Sequence, residues 1–167
     1  MIYLDLREIL YKHKESFNKK VVESLSQKHS MPVDEVIKQF GNNIDNLVIS
    51  RYAQLEQVVD DICAAQKPVV LNIRRDRQRE DECRICESNE PNIRAMDELY
   101  GSAISIFEIS EDSAAGALYH VLFQGAPDED KKLPLTAVIH KCEVKRVWAG
   151  KAVDTSVYSG LVRKVLA

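Results

Sequence analysis

The sequence is short of the residues that mark specialised chains. In 167 residues it has one tryptophan, three methionines, six glycines and five prolines. So little glycine and proline excludes a collagen-like or low-complexity chain. No apolar run approaches the roughly 18–20 residues that a membrane-spanning helix needs. Neither charge sign dominates: the net charge is −3, and no basic cluster stands out, so nothing global points to nucleic acid or to an acidic substrate. Four cysteines are too sparse and irregular for a secreted disulfide framework. His13, His29, His120 and His140 show no ligand spacing. The first turns carry Asp5, Arg7 and Glu8, which is not a signal-peptide pattern. These absences lead to the expectation of a protein in the reducing cytoplasm. The 45% hydrophobic and 29% charged content is that of a globular protein. Its core can be large enough to need no disulfide staple.

What is there centres on Cys83-Arg84-Ile85-Cys86, with Pro91 five residues beyond the second cysteine. Two thiols at this spacing, opening a helix, form a redox pair or half of a metal site. Upstream, residues 2–30 read as a helix, with Ile2, Leu6, Ile9, Leu10, Phe17, Val21 and Leu25 recurring at helical intervals. Pro32 begins a short helix that Gly41 should end. Leu47-Val48-Ile49 is an edge strand or the start of the next helix, which runs from Tyr52 to Ala65. Val69–Ile73 is a continuous apolar strand of the kind buried on both faces. Arg74–Glu82 is a charge run expected to be solvated.

Downstream, a helix from Pro91 to Tyr100 should bury Ile93, Met96, Leu99 and Tyr100, with Gly101 as its cap. Residues 103–109 alternate as a second strand. Ser110–Ser113 caps a helix through Leu118, and residues 125–132 read as loop. Leu135–His140 and Glu143–Trp148 form a hairpin across Lys141-Cys142. Gly150 ends it, and Asp154 caps a last helix with Val157, Leu161, Val165 and Leu166 as its stripe. The order gives an α/β fold: a mixed sheet of about four strands with helices on both faces.

This order, with a CxxC opening the helix after the first core strand, resembles the thioredoxin-like family. Pro91 stands where thioredoxins carry the proline that kinks the active-site helix. Leu133-Pro134 precedes the third strand, where they carry a cis-proline facing the CxxC. Gly150 follows that proline by sixteen residues, as the corresponding glycine does in thioredoxins. The resemblance covers residues 46–167 and leaves residues 1–45 as a helical extension. The departures are Glu82 in place of tryptophan, Arg84-Ile85 in place of Gly-Pro, Asn72 in place of a buried aspartate, Ile106 in place of its lysine partner, and Leu135 in place of threonine. The loop between the first strand and the CxxC is also longer than usual.

The nucleophile of thiol–disulfide exchange is the thiolate, which a helix N-terminus stabilises. Cys83, at that end, is the candidate nucleophile, and Cys86, one turn inside, the resolving thiol. Arg84 adds a positive charge, while Glu80, Asp81 and Glu82 oppose the thiolate. By the resemblance, a cis Pro134 would bring the backbone of Leu133 beside the sulfurs as an edge for a substrate peptide. The expected function is a thiol–disulfide oxidoreductase or redox sensor. It needs no cofactor, and its partners are a protein disulfide and an upstream reductase. The alternatives are a non-catalytic adaptor and a CxxC metal site. Metal is disfavoured because Cys142 and Cys63 should lie at the far end of the sheet, about 20 Å away at strand spacing. Those two cysteines are expected to be buried structural thiols; the alternative is a second redox contact. Residues 1–45 offer a homodimer surface; neither a membrane nor nucleic acid is expected as a partner.

Overall fold

The computed structural model describes residues 4–123 and 132–167. In chain order the elements are β1 (Leu4–Asp5), α1 (Leu6–Lys28), α2 (Val33–Ala64), β2 (Val69–Arg74), α3 (Arg84–Tyr100), β3 (Ser105–Ser110), α4 (Leu118–Leu122), β4 (Leu135–His140), β5 (Glu143–Ala149) and α5 (Thr155–Leu166). Short 3₁₀ turns cover Gly101–Ala103 and Ala114–Ala117. Most of the loop expected at 125–132 lies outside the described residues.

The strands form one mixed sheet in the order β1-β5-β4-β2-β3. β2 is central, parallel to β3 and antiparallel to β4. All six of its residues are buried, as its unbroken apolar run requires. Period-two alternation divides it between two cores. Val69, Leu71 and Ile73 pack with Tyr52, Leu55 and Val59 of α2 and with Leu6 and Leu10 of α1. Val70 faces the other way, toward Ile93 and Met96 of α3 and Tyr158 and Val162 of α5. The mixed α/β sheet flanked by helices is therefore present, with five strands where about four were expected. The fifth is β1, whose two residues pair with Glu143 and Val144 of β5. These residues were expected to be helical. The helix instead begins at Leu6, where the Asp5 carboxylate caps it by accepting from the amides of Arg7 and Glu8.

The largest departure is α2. The short helix ending at Gly41, the run Leu47–Ile49 and the helix from Tyr52 are one continuous element of 32 residues. A glycine inside a helix costs only about 1 kcal/mol. Against that, Val36, Ile44, Val48, Tyr52, Leu55, Val59 and Ile62 form one buried stripe on both sides of Gly41. The helix therefore runs through residue 45 without a break. Leu47 and Ile49 fall off the stripe and are exposed. Two smaller corrections have the same cause, a helical face rotated from the expected one. Leu99 is exposed on α3, and on α5 the buried residues are Tyr158 and Val162, with Val157 and Leu166 outside.

The β4–β5 hairpin closes through Lys141 and Cys142, both at positive φ. That is the signature of a two-residue turn matching the strand twist. Among the described residues no helix is long and apolar enough to cross a membrane.

Candidate functional site

β2 delivers the chain to the site through Arg74. This residue belongs to the run expected to be solvated, yet it is buried at 6% exposure. Its guanidinium donates to Glu90 on α3 at 3.1 Å and to the Arg75 carbonyl at 3.1 Å. The rest of the run folds back on the end of β3 and the turn after it. Arg75 pairs with Asp81 at 3.2 Å and Glu111 at 3.3 Å. Arg79 pairs with Asp81 at 2.8 Å and Asp112 at 3.3 Å. Arg77 bridges Glu90 and Glu108. The anions expected to oppose a thiolate are thus partly compensated: Asp81 lies between two arginines, and Glu82 is 4.0 Å from Arg84.

Glu90 gathers Arg74, Arg77 and Arg94. Burial pushes its carboxyl up, but hydrogen bonds from Arg77 and Arg74 and their charges outweigh that and hold it below the ordinary range. A carboxyl depressed in the folded state contributes stability that is present above its unfolded value, near about 4.3, and is lost as pH falls through the folded value. Glu90→Gln should therefore flatten the acid limb of the stability–pH profile. Glu90→Ala, which leaves Arg74 buried beside a single carbonyl, should cost about 3 kcal/mol in urea unfolding.

Cys83 is the N-cap of α3, and its sulfur accepts from the Cys86 amide at 3.2 Å. The two cysteines are joined as a disulfide with Cα atoms 5.3 Å apart. Cys86 is buried at 1% exposure, while Cys83 is half-buried. Arg84 and Ile85 between them point to solvent. Pro91 lies inside α3, which stays one helix through Tyr100.

Facing this helix end is Leu133-Pro134, whose peptide bond is cis. The Leu133 carbonyl oxygen lies 4.0 Å from the Cys83 sulfur, across fifty residues of sequence. Two contacts hold this segment from below. The Gly150 amide donates to the Pro134 carbonyl at 2.9 Å. Gly150 also has φ +69, and a Cβ placed there would meet the Lys132 Cβ at 2.5 Å. Gly150→Ala should thus cost about 1–2 kcal/mol for the left-handed backbone alone. It should add a displacement of Lys132, read as chemical-shift changes at Lys132 and Leu133.

Behind α3 lies a buried polar network that sequence reasoning missed. Asn89 Oδ1 accepts from the Val153 amide at 2.9 Å and from the Tyr158 hydroxyl at 3.2 Å. The Tyr158 hydroxyl also meets Thr136 Oγ1 at 3.1 Å. Asn72 stands opposite Thr136 in the sheet and is 4% exposed, and its Oδ1 has no hydrogen-bond partner among the described residues.

Cys63 and Cys142 do lie at the other end of the sheet, but they are not free thiols. They form a second disulfide between the last turn of α2 and the β4–β5 turn. The expectation of two thiols is corrected here. The signal was present in the sequence: both had been placed at the same end of the sheet.

The strand order β3-β2-β4-β5, the parallel β2/β3 pair and the CxxC at the start of the helix after β2 define a thioredoxin-like fold in a divergent form. The chain is similar to the solved structure of Trxlp from Edwardsiella tarda EIB202, with 14% identity, a TM-score of 0.45, and coverage of 64% of this chain and 91% of that one. No family model and no curated protein matches the chain.

Proposed function

We propose that the protein is a thiol–disulfide oxidoreductase or redox sensor that works through Cys83 and Cys86. The observation that carries this reading is the Leu133 carbonyl 4.0 Å from a half-buried Cys83 sulfur, with Cys86 buried one turn inside the helix. In the dithiol form the Cys83 thiolate attacks one sulfur of a substrate disulfide. A mixed disulfide forms, and the other substrate sulfur leaves as a thiolate. The Cys86 thiolate then attacks the Cys83 sulfur and releases the second substrate thiolate. Two electrons pass to the substrate, and the protein is left with the Cys83–Cys86 bridge. An upstream reductase must return it to the dithiol.

Leu133 and Pro134 are the residues we assign to docking an extended peptide, and exposed Arg84 contacts its flank. Pro91 shapes the helix behind the pair. In this reading residues 46–167 carry the thioredoxin-like elements, and residues 1–45 add α1 and the first part of α2, which continues into that domain, and offer a homodimer surface. By the resemblance, Asn72 stands where thioredoxins carry a buried aspartate that assists proton transfer; an amide cannot take up a proton as a carboxylate does, so slow turnover or sensing fits better than fast catalysis.

A cytoplasmic setting goes with this reading, because the pair must be kept reduced. The Cys63–Cys142 bridge weighs against it, since such bridges persist mainly in oxidising compartments. Alkylating the thiols in intact cells separates the two: free Cys63 and Cys142 support the cytoplasm, protected ones an oxidising compartment.

The testing experiment is a redox titration of the Cys83–Cys86 pair together with insulin reduction. A midpoint between roughly −150 and −300 mV with turnover supports the reading. A pair that never oxidises reversibly, in a protein whose partner complexes survive Cys83→Ser with Cys86→Ser, supports a thioredoxin-fold adaptor instead. Zinc lost on Cys83→Ser would point to a metal site.

A further inference from the structure

The segment facing the cysteines is also held by α4. Tyr119 is 1% exposed. Its hydroxyl donates to the Lys132 carbonyl at 2.8 Å and accepts from the Lys132 amide at 2.9 Å. One phenol therefore engages both backbone polar groups of the residue just before Leu133. Its ring is packed edge-on against His120 and Phe123, which fixes the hydroxyl in place.

The consequence concerns register. An extended peptide that docks on an edge does so through main-chain hydrogen bonds, and a slip of one residue turns its side chains over. With its amide and carbonyl both held by Tyr119, Lys132 does not compete for an incoming strand. Pairing must begin at Leu133, whose carbonyl is the one beside the Cys83 sulfur. The Lys132 side chain packed over Gly150 and the Gly150 amide on Pro134 complete the frame.

We propose that Tyr119 is a positioning residue that sets the register in which a protein disulfide is presented to Cys83. This rests on the oxidoreductase reading and goes beyond it. Tyr119 touches neither sulfur and takes no part in the exchange; it acts through the backbone of Lys132.

The test is Tyr119→Phe in the full-length protein, with kinetics on two substrates, the midpoint potential and amide exchange read in parallel. The KM for insulin should rise by about threefold to tenfold, the effect of losing one or two backbone hydrogen bonds. The turnover number, the Cys83–Cys86 midpoint potential and the rate with the small disulfide 5,5′-dithiobis(2-nitrobenzoic acid) should stay as in the parent. Amide exchange at Lys132 should accelerate, reporting in the folded protein that the clamp is gone. An unchanged KM despite faster exchange at Lys132 overturns the proposal. So does an equal loss toward the small disulfide or a shifted potential, because Tyr119 would then act on the sulfurs or on the fold. A parent protein that reacts with neither insulin nor the small disulfide removes the oxidoreductase reading itself, and this inference with it.

Discussion

Cys83→Ser should reduce insulin no faster than the uncatalysed background, whereas Cys86→Ser should react once and stop. The asymmetry follows from burial. Cys86 is 1% exposed, so an incoming disulfide meets only Cys83. A serine hydroxyl in place of Cys83 is not ionised near neutral pH, and no neighbouring base among the described residues contacts it to make it a nucleophile. With Cys86 removed, the first exchange still occurs, but nothing attacks the mixed disulfide from inside the helix. The substrate should remain on Cys83 as a covalent adduct, visible as a mass shift reversed by dithiothreitol. The same variant would identify the physiological partner. If Cys83→Ser kept parental turnover, or if the adduct formed on another cysteine, the assignment of Cys83 as nucleophile would be wrong.

Cys63→Ser with Cys142→Ser should lower stability by about 4–5 kcal/mol, the loop-closure entropy of a bridge of this length. The two residues are 79 apart in sequence. For a chain of this size that corresponds to a fall in Tm on the order of 10–15 °C. The bridge joins the end of α2 to the β4–β5 turn, and the Cys142 carbonyl accepts from the Leu6 amide at 2.7 Å where α1 begins. Loosening should therefore be felt first at β1 and the start of α1, read as faster amide exchange at Leu6. Insulin reduction should persist, because β4 separates this bridge from the CxxC by about 20 Å. Equal Tm values for the parent and the double variant, under non-reducing conditions, would show that the bridge does not constrain the unfolded chain.

Local chemistry made much of the site readable. Two thiols three apart before a helical pattern place a sulfur at a helix N-terminus wherever that helix packs. Lys141-Cys142 between two alternating runs leaves room for only a tight turn, and both residues take the positive φ that such a turn demands. Gly150 marks a left-handed position that other residues strain to adopt. Gly41 has the same chemistry and misled. It sits in the middle of a helix, because a penalty of about 1 kcal/mol is small beside the burial of a stripe extending to either side. A glycine signals a stop only when the flanking apolar pattern also ends.

Arg74 misled in a similar way. In sequence it heads a dense charge run, and such runs are usually solvated. It is buried because β2 carries it one residue further into the sheet, where Glu90 from α3 meets it. Nothing in the spacing of residues 74 and 90 announces that meeting.

The sequence by itself determined the alternation of strands and helices, the sulfur pair at a helix start, the hairpin and the proline-led strand beside it. Each depends on neighbours within a turn or two, where backbone preference and hydrophobic period act directly. Tertiary structure alone decided which distant groups would touch: Tyr119 on Lys132, Glu90 on Arg74, and the bond that joins Cys63 to Cys142, which the sequence had placed only at the same end of the sheet. Those pairings depend on how two faces of one sheet are covered, and that is settled by the packing of the whole core.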